Sequence, residues 1–311
     1  MEDKIRVIAV VGPTASGKTR LGVTLAQSLD GEVVSADSMQ IYKGMDIASA
    51  KPTKEEMRGV VHHMIDFLPN SESFSVADYV TAARGIISDI TARGKMPIIV
   101  GGTGLYVDSL LNNINFSDSA PAPQLRDELR AQAETYGAAA LWERLNSVDP
   151  EAAANIEPNN VKRVIRAIEV CETSGMTMTE QKRVSRLSPT PYDALKIGLK
   201  TRDRSVLYDR INRRVDEMVK AGLVEEARGF LSGADLGDTA KMAIGCKELA
   251  PYFAGERELS ECLEVLKRST RRYAKRQLTW FMRDENIHWF NIDEKDFESI
   301  ERECIALAKA R

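Results

Sequence analysis

The stretch IRVIAVVGPTASGKTRLGVTLAQSL, residues 5–29, decides the fold class. Ile5–Val11 is an apolar, largely β-branched run that stops at Gly12, as expected of a strand buried on both faces. Leu21, Leu25 and Leu29 recur at helical spacing, so a helix is expected from Lys18 to Leu29. Between the two, Gly12-Pro13-Thr14-Ala15-Ser16-Gly17-Lys18-Thr19 matches G-x-x-x-x-G-K-[ST] without a mismatch, in the strand-to-helix setting that this phosphate-binding loop requires. Glycines let successive backbone N–H groups converge on phosphate oxygens, and the helix that follows offers its positive end to the anion. Lys18 supplies a mobile charge, and the Thr19 hydroxyl is placed to bind Mg²⁺. A Gly-rich structural turn is the plain alternative.

Further strands are expected at Glu32–Ala36, ending at Asp37, and at Lys95–Val100, stopped by Gly101-Gly102, with an amphipathic helix over Ser75–Arg93 between them. Such alternation implies an α/β fold, a parallel sheet covered by helices, in which ligands gather at the carboxyl ends of the strands. Gly12, Asp37 and Gly101 sit at such ends, which points to one site. A nucleoside-triphosphate hydrolase usually carries an acidic magnesium ligand at the end of an apolar strand. Here Pro97–Val100 runs into Gly101-Gly102-Thr103-Gly104 instead, which weakens that reading.

Residues 121–186 are rich in Ala, Glu, Arg and Leu with helical spacing and no convincing strand, so they read as a helical insertion between core segments 1–120 and 187–311. A strand at Ala194–Lys200, helices from Arg204 to Gly222 and from Leu259 to about Arg283, a last strand at His288–Ile292 and a terminal helix complete the expectation.

The chain of 311 residues is 43% hydrophobic and 29% charged with a formal net charge of −3, which excludes both wholesale disorder and a protein basic all over. Cys171, Cys246, Cys262 and Cys304 lack metal-ligand spacing, so reduced thiols are expected. The start MEDKIRVIAVVG is too short to be a signal peptide and no apolar run approaches a membrane span, so a cytoplasmic protein is expected, and nothing demands more than a monomer. Lys267, Arg268, Arg271, Arg272, Lys275, Arg276 and Arg283 form a stretch with no acidic residue among them, and on a helix they build two adjoining positive stripes. In an acidic protein such a face is costly unless a phosphate backbone neutralises it. Alone it also reads as solvated surface; it is the phosphate loop and a second patch beside it that favour RNA. Tyr273, Trp280 and Phe281 are interleaved; base stacking is one use for them and core packing the commoner one. Lys162, Arg163 and Arg166 make a smaller patch on the insertion.

Together, GPTASGKT at 12–19, SADSMQIYKGMDIASAKP at 35–52, HHMIDFL at 62–68, GGTGLY at 101–106, KRVIRAIEV at 162–170, GLVEEA at 222–227, AIGCKE at 243–248 and RRYAKRQLTWF at 271–281 resemble one family, the tRNA dimethylallyltransferases. The resemblance runs from the first strand almost to the last helix. It implies a kinase-like P-loop core whose insertion helps to grip tRNA. It also implies transfer of a dimethylallyl group from dimethylallyl diphosphate, with magnesium, to adenosine 37 beside the anticodon. Gly12 to Thr19 would hold the diphosphate, aided by Lys18 and by amides from Thr14 to Lys18, with Arg210 and Arg214 as further candidates. Asp37 would be the base and Thr103 would line the channel where the substrates meet. Ser38, Met39 and Gln40, the segment Lys162-Arg163-Val164-Ile165-Arg166, and Arg272, Lys275, Arg276, Gln277 and Trp280 would contact tRNA. Asp37 also reads as a turn or helix-capping aspartate, and Arg210 with Arg214 as a solvated charged face. Cys246 stands where the family usually has tyrosine, Met282 interrupts TWFR, and the chain stops without the zinc finger of eukaryotic relatives, which suggests the bacterial type. The rival readings are an adenylate dimethylallyltransferase acting on AMP, ADP or ATP, a small-molecule kinase, and a non-catalytic RNA-binding module.

Overall fold

The computed structural model describes residues 4–114, 122–185, 187–233 and 237–311. The chain forms two compact units, one of Met1–Leu111 with Pro191–Arg311 and one of Asn112–Thr190. The boundary expected at 120/121 lies outside the described residues, and of the one at 186/187 only Leu187 lies within them.

In the first unit β1 (Ile5–Val11), α1 (Lys18–Ser28), β2 (Gly31–Ser35), α2 (Lys54–Met57), β3 (His62–His63), α3 (Val76–Ala92), β4 (Met96–Gly101) and α4 (Gly104–Leu111) precede the insertion. The insertion holds α5 (Pro123–Val148), α6 (Pro150–Ala154), α7 (Val161–Ser174) and α8 (Met178–Val184). The first unit resumes with β5 (Tyr192–Lys200), α9 (Arg204–Lys220), α10 (Leu223–Leu231), α11 (Asp238–Lys241), α12 (Ala250–Phe253), α13 (Leu259–Phe281), β6 (Ile287–Asn291) and α14 (Phe297–Lys309).

The six strands lie in the order β3-β2-β4-β1-β5-β6, every neighbour parallel. β1 is central, with Val11 opposite Gly101 of β4 and Gly198 of β5, and its residues Val7–Val11 are all buried. That is why its sequence is a continuous apolar run and not an alternating one. The strand Met96–Gly101 is fourth in the chain and not third, because the edge strand His62–His63 intervenes. Ile8, Val10, Ile98, Val100, Ile197 and Leu199 pack with Leu21 and Leu25 of α1 and with Ile300 and Cys304 of α14. A second core joins Ile41, Tyr42 and Met45, just after β2, to Val215, Leu223, Phe230, Cys246 and Leu266. It fixes the chain beyond Asp37 against the helices that follow β5.

In the insertion, Leu129, Leu141, Leu145, Val164, Ile165 and Ile168 form a core of their own. α5 is broken at Gly137, whose φ of 85° no helix tolerates. Asp149 caps α6 through Ala152 N–H and also accepts from the Thr179 hydroxyl and backbone N–H, so the Asp149-Pro150 turn is tied to α8. The four cysteines are free thiols.

Candidate active site

A cavity of about 750 Å³ opens at the carboxyl ends of β1, β2 and β4, a volume suited to small-molecule substrates. Its floor is the loop after β1. Gly12 takes a φ of 139°, and a Cβ there would come within 2.4 Å of Leu199 O, so only glycine lets the chain turn off the sheet at this point. Gly17, with a φ of 92°, precedes α1 without any side-chain cap, which leaves the first N–H groups of the helix to an external anion. Lys18 and Thr19 begin that helix and line the cavity.

Three cations converge on this loop. Lys18 Nζ donates to its own Pro13 O at 2.6 Å, and burial pulls the ammonium from 10.5 down to about 7, against the raising effect of Asp37 and reinforced by Arg214. Arg210 on α9 donates from Nε to Ala15 O at 2.9 Å, holding the left-handed Ala15 (φ 61°) from the side. Arg214, one turn on, also lines the cavity, and burial lowers its pKa from the ordinary arginine value despite the nearby Glu56, Asp37 and Glu217. The structure thus brings Arg210 and Arg214 to the loop; they are no solvated face. Desolvated positive charges grouped on exposed amides are costly unless an anion joins them. No group of three or more His, Cys, Asp or Glu among the described residues could hold a metal ion.

Asp37 stands across from the cations. Its position is set by Thr103 N–H donating to Ala36 O at 3.1 Å, and its Oδ1 accepts from Met39 N–H at 2.9 Å. The Thr103 hydroxyl accepts from Ser38 N–H at 3.1 Å, so the turn after β2 and the Gly-rich turn after β4 are joined beside the carboxylate. Tyr273 of α13 lies next to Thr103, Gln277 and Asp37; burial first, and then the charge of Asp37, push its phenol far above the usual tyrosine range. It is therefore a neutral group facing the carboxylate, a role its place in a basic stretch did not reveal.

Of the segment Ser38-Met39-Gln40, Met39 packs against the second core. Gln40 is committed internally: it accepts from Ser35 Oγ at 3.1 Å and donates to Ala50 O at 3.1 Å. The loop it holds is fixed a second time by Glu226 of α10, whose carboxylate accepts from Asp46, Ile47 and Ala48 N–H at 2.9, 2.8 and 2.8 Å. Nothing local in the sequence flagged Glu226, although GLVEEA carries it. Met45, Ala48, Ser49 and Ala50 of this loop line the cavity. Glu226→Ala is expected to free the loop and lower kcat/KM about 10-fold, with trypsin cutting after the exposed Lys43, ahead of Gly44, where the wild type resists; a resistant, fully active variant would show that the anchor is dispensable.

The remaining expected contacts divide. Lys162 and Arg163 are exposed, but Val164 and Ile165 are buried in the insertion core and offer no side-chain surface to RNA. Arg166 pairs with the buried Glu169 at 2.7 Å, alongside Arg126. On α13, Arg272, Lys275 and Arg276 are exposed, whereas Lys267 is paired with Asp216 and Arg271 bonds Asn212. Gln277 is buried, its carboxamide spent on Thr14 N–H and Gly102 O, so it is not available to tRNA from this surface. Trp280 is half-buried and donates from Nε1 to Asp108 at 2.6 Å, with the Arg283 guanidinium over its ring. Thr14 N–H, counted among the phosphate donors, is likewise taken, so the open amides begin at Ala15. Cys246 is fully buried in the second core and can make no surface contact.

A family model described as IPP transferase matches residues 40–284. A protein named tRNA dimethylallyltransferase from Thermoanaerobacter sp. (strain X514) is 48% identical over 305 residues, covering 97% of this chain and 96% of the relative. One of the same name from Halalkalibacterium halodurans is 50% identical over 295 residues, covering 95% and 94%. The solved structure of the full-length tRNA isopentenylpyrophosphate transferase from Bacillus halodurans matches with a TM-score of 0.75 at 46% identity, covering 99% of this chain and 96% of that one. A eukaryotic dimethylallyltransferase, described as acting on tRNA, matches with a TM-score of 0.81 at 28% identity, covering 96% and 77%.

Proposed function

This chain belongs to the IPP transferase family, the tRNA dimethylallyltransferases, and from that premise we propose how its cavity transfers a dimethylallyl group from dimethylallyl diphosphate to the exocyclic amine of an adenosine in tRNA. The observation that carries the reading is the convergence of Lys18, Arg210 and Arg214 on the loop amides, at a strand end where β4 supplies glycines and no carboxylate. That arrangement binds and stabilises a diphosphate, and lacks the usual acidic magnesium ligand of a triphosphate hydrolase. The readings as a free-adenylate transferase, a kinase or an inert RNA module are not favoured by relatives that match nearly the whole chain under a tRNA-modifying name.

The adenine amine is a weak nucleophile, because its lone pair is drawn into the ring. The allylic carbon compensates, sharing positive charge with its double bond as the carbon–oxygen bond breaks. Pyrophosphate departs with that electron pair, the amine nitrogen bonds the carbon, and Asp37 accepts the proton the nitrogen must lose. Catalysis is then a matter of stabilising the leaving charge, which Lys18, Arg210, Arg214 and the amides from Ala15 onward do, and of alignment. Magnesium belongs to this proposal: the Thr19 hydroxyl and the diphosphate's own oxygens are the hard donors it prefers, and it is often held with few protein ligands. When bound it would add positive charge at the departing oxygens.

We further propose that the acceptor is adenosine 37 of the anticodon stem-loop, extruded from its stack into the space between Asp37 and Thr103. The protein would act in the cytoplasm as a monomer; no helix among the described residues is long and apolar enough to cross a membrane. The exposed Arg272 and Arg276 are assigned to the tRNA backbone. Arg272→Ala and Arg276→Ala should each weaken tRNA binding and lower the slope of log Kd against log salt by about one; unchanged slopes would remove α13 from the interface. The whole reading is tested by incubating unmodified tRNA, and separately AMP, with labelled dimethylallyl diphosphate and magnesium, followed by mass spectrometry of the nucleosides. Label in isopentenyladenosine from tRNA alone is expected; label in AMP alone, or none at all, would overturn it.

A further inference from the structure

We infer that Gln277 is a positioning residue for the diphosphate cradle, clamping the phosphate loop to the end of β4, and is not a contact for RNA. The inference rests on the reading of the cavity as a diphosphate-transfer site. Gln277 projects inward from α13, 5% exposed, between the fully buried Ala274 and the nearly buried Phe281. Its Oε1 accepts from Thr14 N–H at 2.9 Å, and its Nε2 donates to Gly102 O at 3.0 Å.

Those two partners leave no freedom in the chemistry. A backbone N–H can only donate and a carbonyl can only accept, so the carboxamide must present oxygen to Thr14 and nitrogen to Gly102. Glutamate could serve the first and not the second, lysine the reverse, and asparagine is one methylene short of a side chain that must reach both. Glycine at 102 is the complement of this choice: a Cβ there would lie 2.0 Å from Nε2, displacing the carboxamide.

The consequence for the cradle is geometric. The loop from Gly12 to Thr19 is tied at two successive residues, by Gln277 at Thr14 N–H and by Arg210 at Ala15 O. One tie comes from α13 and the other from α9, helices that pack against each other. Between them they fix the strained left-handed turn at Ala15 (φ 61°), after which the remaining amides face the cavity. A preorganised set of donors binds its anion without a reorganisation cost, and a loosened one does not. Burial also makes the clamp asymmetric in its failure: removing the carboxamide leaves a buried donor and a buried acceptor unsatisfied.

The test uses Gln277→Met, Gly102→Ala and the double variant, with inorganic pyrophosphate plus magnesium titrated by calorimetry and tRNA binding followed over a salt series. Each single change should weaken pyrophosphate about tenfold and raise the KM for dimethylallyl diphosphate more than it lowers kcat. The double variant should be little worse than either, because both remove the same contact. Affinity for tRNA and its salt slope should stay as in the wild type. Unchanged pyrophosphate affinity, additive effects, or weakened tRNA binding with a shallower salt slope would each overturn the inference. Should the variants fail to fold, amide exchange on the wild type decides: Thr14 N–H should be protected equally with and without pyrophosphate while Ala15 to Thr19 gain protection, and a Thr14 amide that exchanges freely until pyrophosphate is added would refute the clamp. A wild type that neither binds pyrophosphate nor modifies tRNA would instead overturn the functional reading.

Discussion

Replacing Asp37 with alanine is expected to lower the rate of prenyl transfer about 10²–10⁴-fold while leaving tRNA affinity nearly intact. The carboxylate is held from two directions. Thr103 N–H fixes the preceding carbonyl of Ala36, and Met39 N–H takes Oδ1 at 2.9 Å, so the other oxygen is the one presented to the cavity. Asp37→Asn keeps an acceptor for Met39 and the shape of the turn but cannot take the amine proton, and should therefore be nearly as slow as the alanine variant. A merely structural aspartate would behave in the opposite way, with asparagine close to wild type. Single-turnover transfer with labelled donor and saturating tRNA separates the two cases; full activity in either variant would mean that Asp37 is not the base.

How much of this was legible beforehand follows from where each signal lives. β1 and its loop were readable because a strand buried on both faces must be continuously apolar, and because the loop's chemistry needs particular residues at particular spacing. β3 escaped because two residues, His62–His63, cannot show an alternation. Asp37, Thr103 and the loop were placed together by their positions at strand ends, a consequence of parallel topology alone. Arg210 and Arg214 could not be separated from a solvated face until α9 was packed beside Ala15. Gln277 sits among basic neighbours, yet its spacing marks it as inward: Ala274, Gln277 and Phe281 are the buried residues of this end of α13, at helical intervals, whereas Arg272 and Arg276 are exposed. Val164 and Ile165 lie inside an equally charged motif, and their apolar side chains mark the face of α7 that turns into the insertion core. Glu226 had no such signal. Its three amide partners lie some 180 residues away in sequence, at Asp46 to Ala48, and only the tertiary fold brings them within reach.

Binding of the diphosphate is expected to weaken as pH rises from about 7 to 9, by about tenfold per pH unit. The cause is Lys18, whose ammonium is pulled down to about 7 chiefly by burial. A diphosphate beside it favours the charged form, so the pKa in the complex lies above that of the free protein. Between those two values binding takes up a proton, and the sign follows: affinity is greatest below the free value and falls as pH climbs past it, until the value in the complex is reached. The terminal phosphate ionises near about 6, beneath this window, and adds no opposing slope within it. Calorimetry with dimethylallyl diphosphate in the absence of tRNA, in buffers of different ionisation enthalpy, should show uptake of about half a proton at pH 7, approaching one at pH 8. Lys18→Met should flatten the profile and reduce kcat/KM about 10²–10³-fold, since it removes a charge aimed at the departing oxygens. Lys18→Arg should also flatten it, because a guanidinium stays protonated throughout, while retaining more of the affinity. A wild-type affinity constant from pH 7 to 9, with no proton taken up, would show that Lys18 already carries its charge in the free protein and that the cavity does not desolvate it.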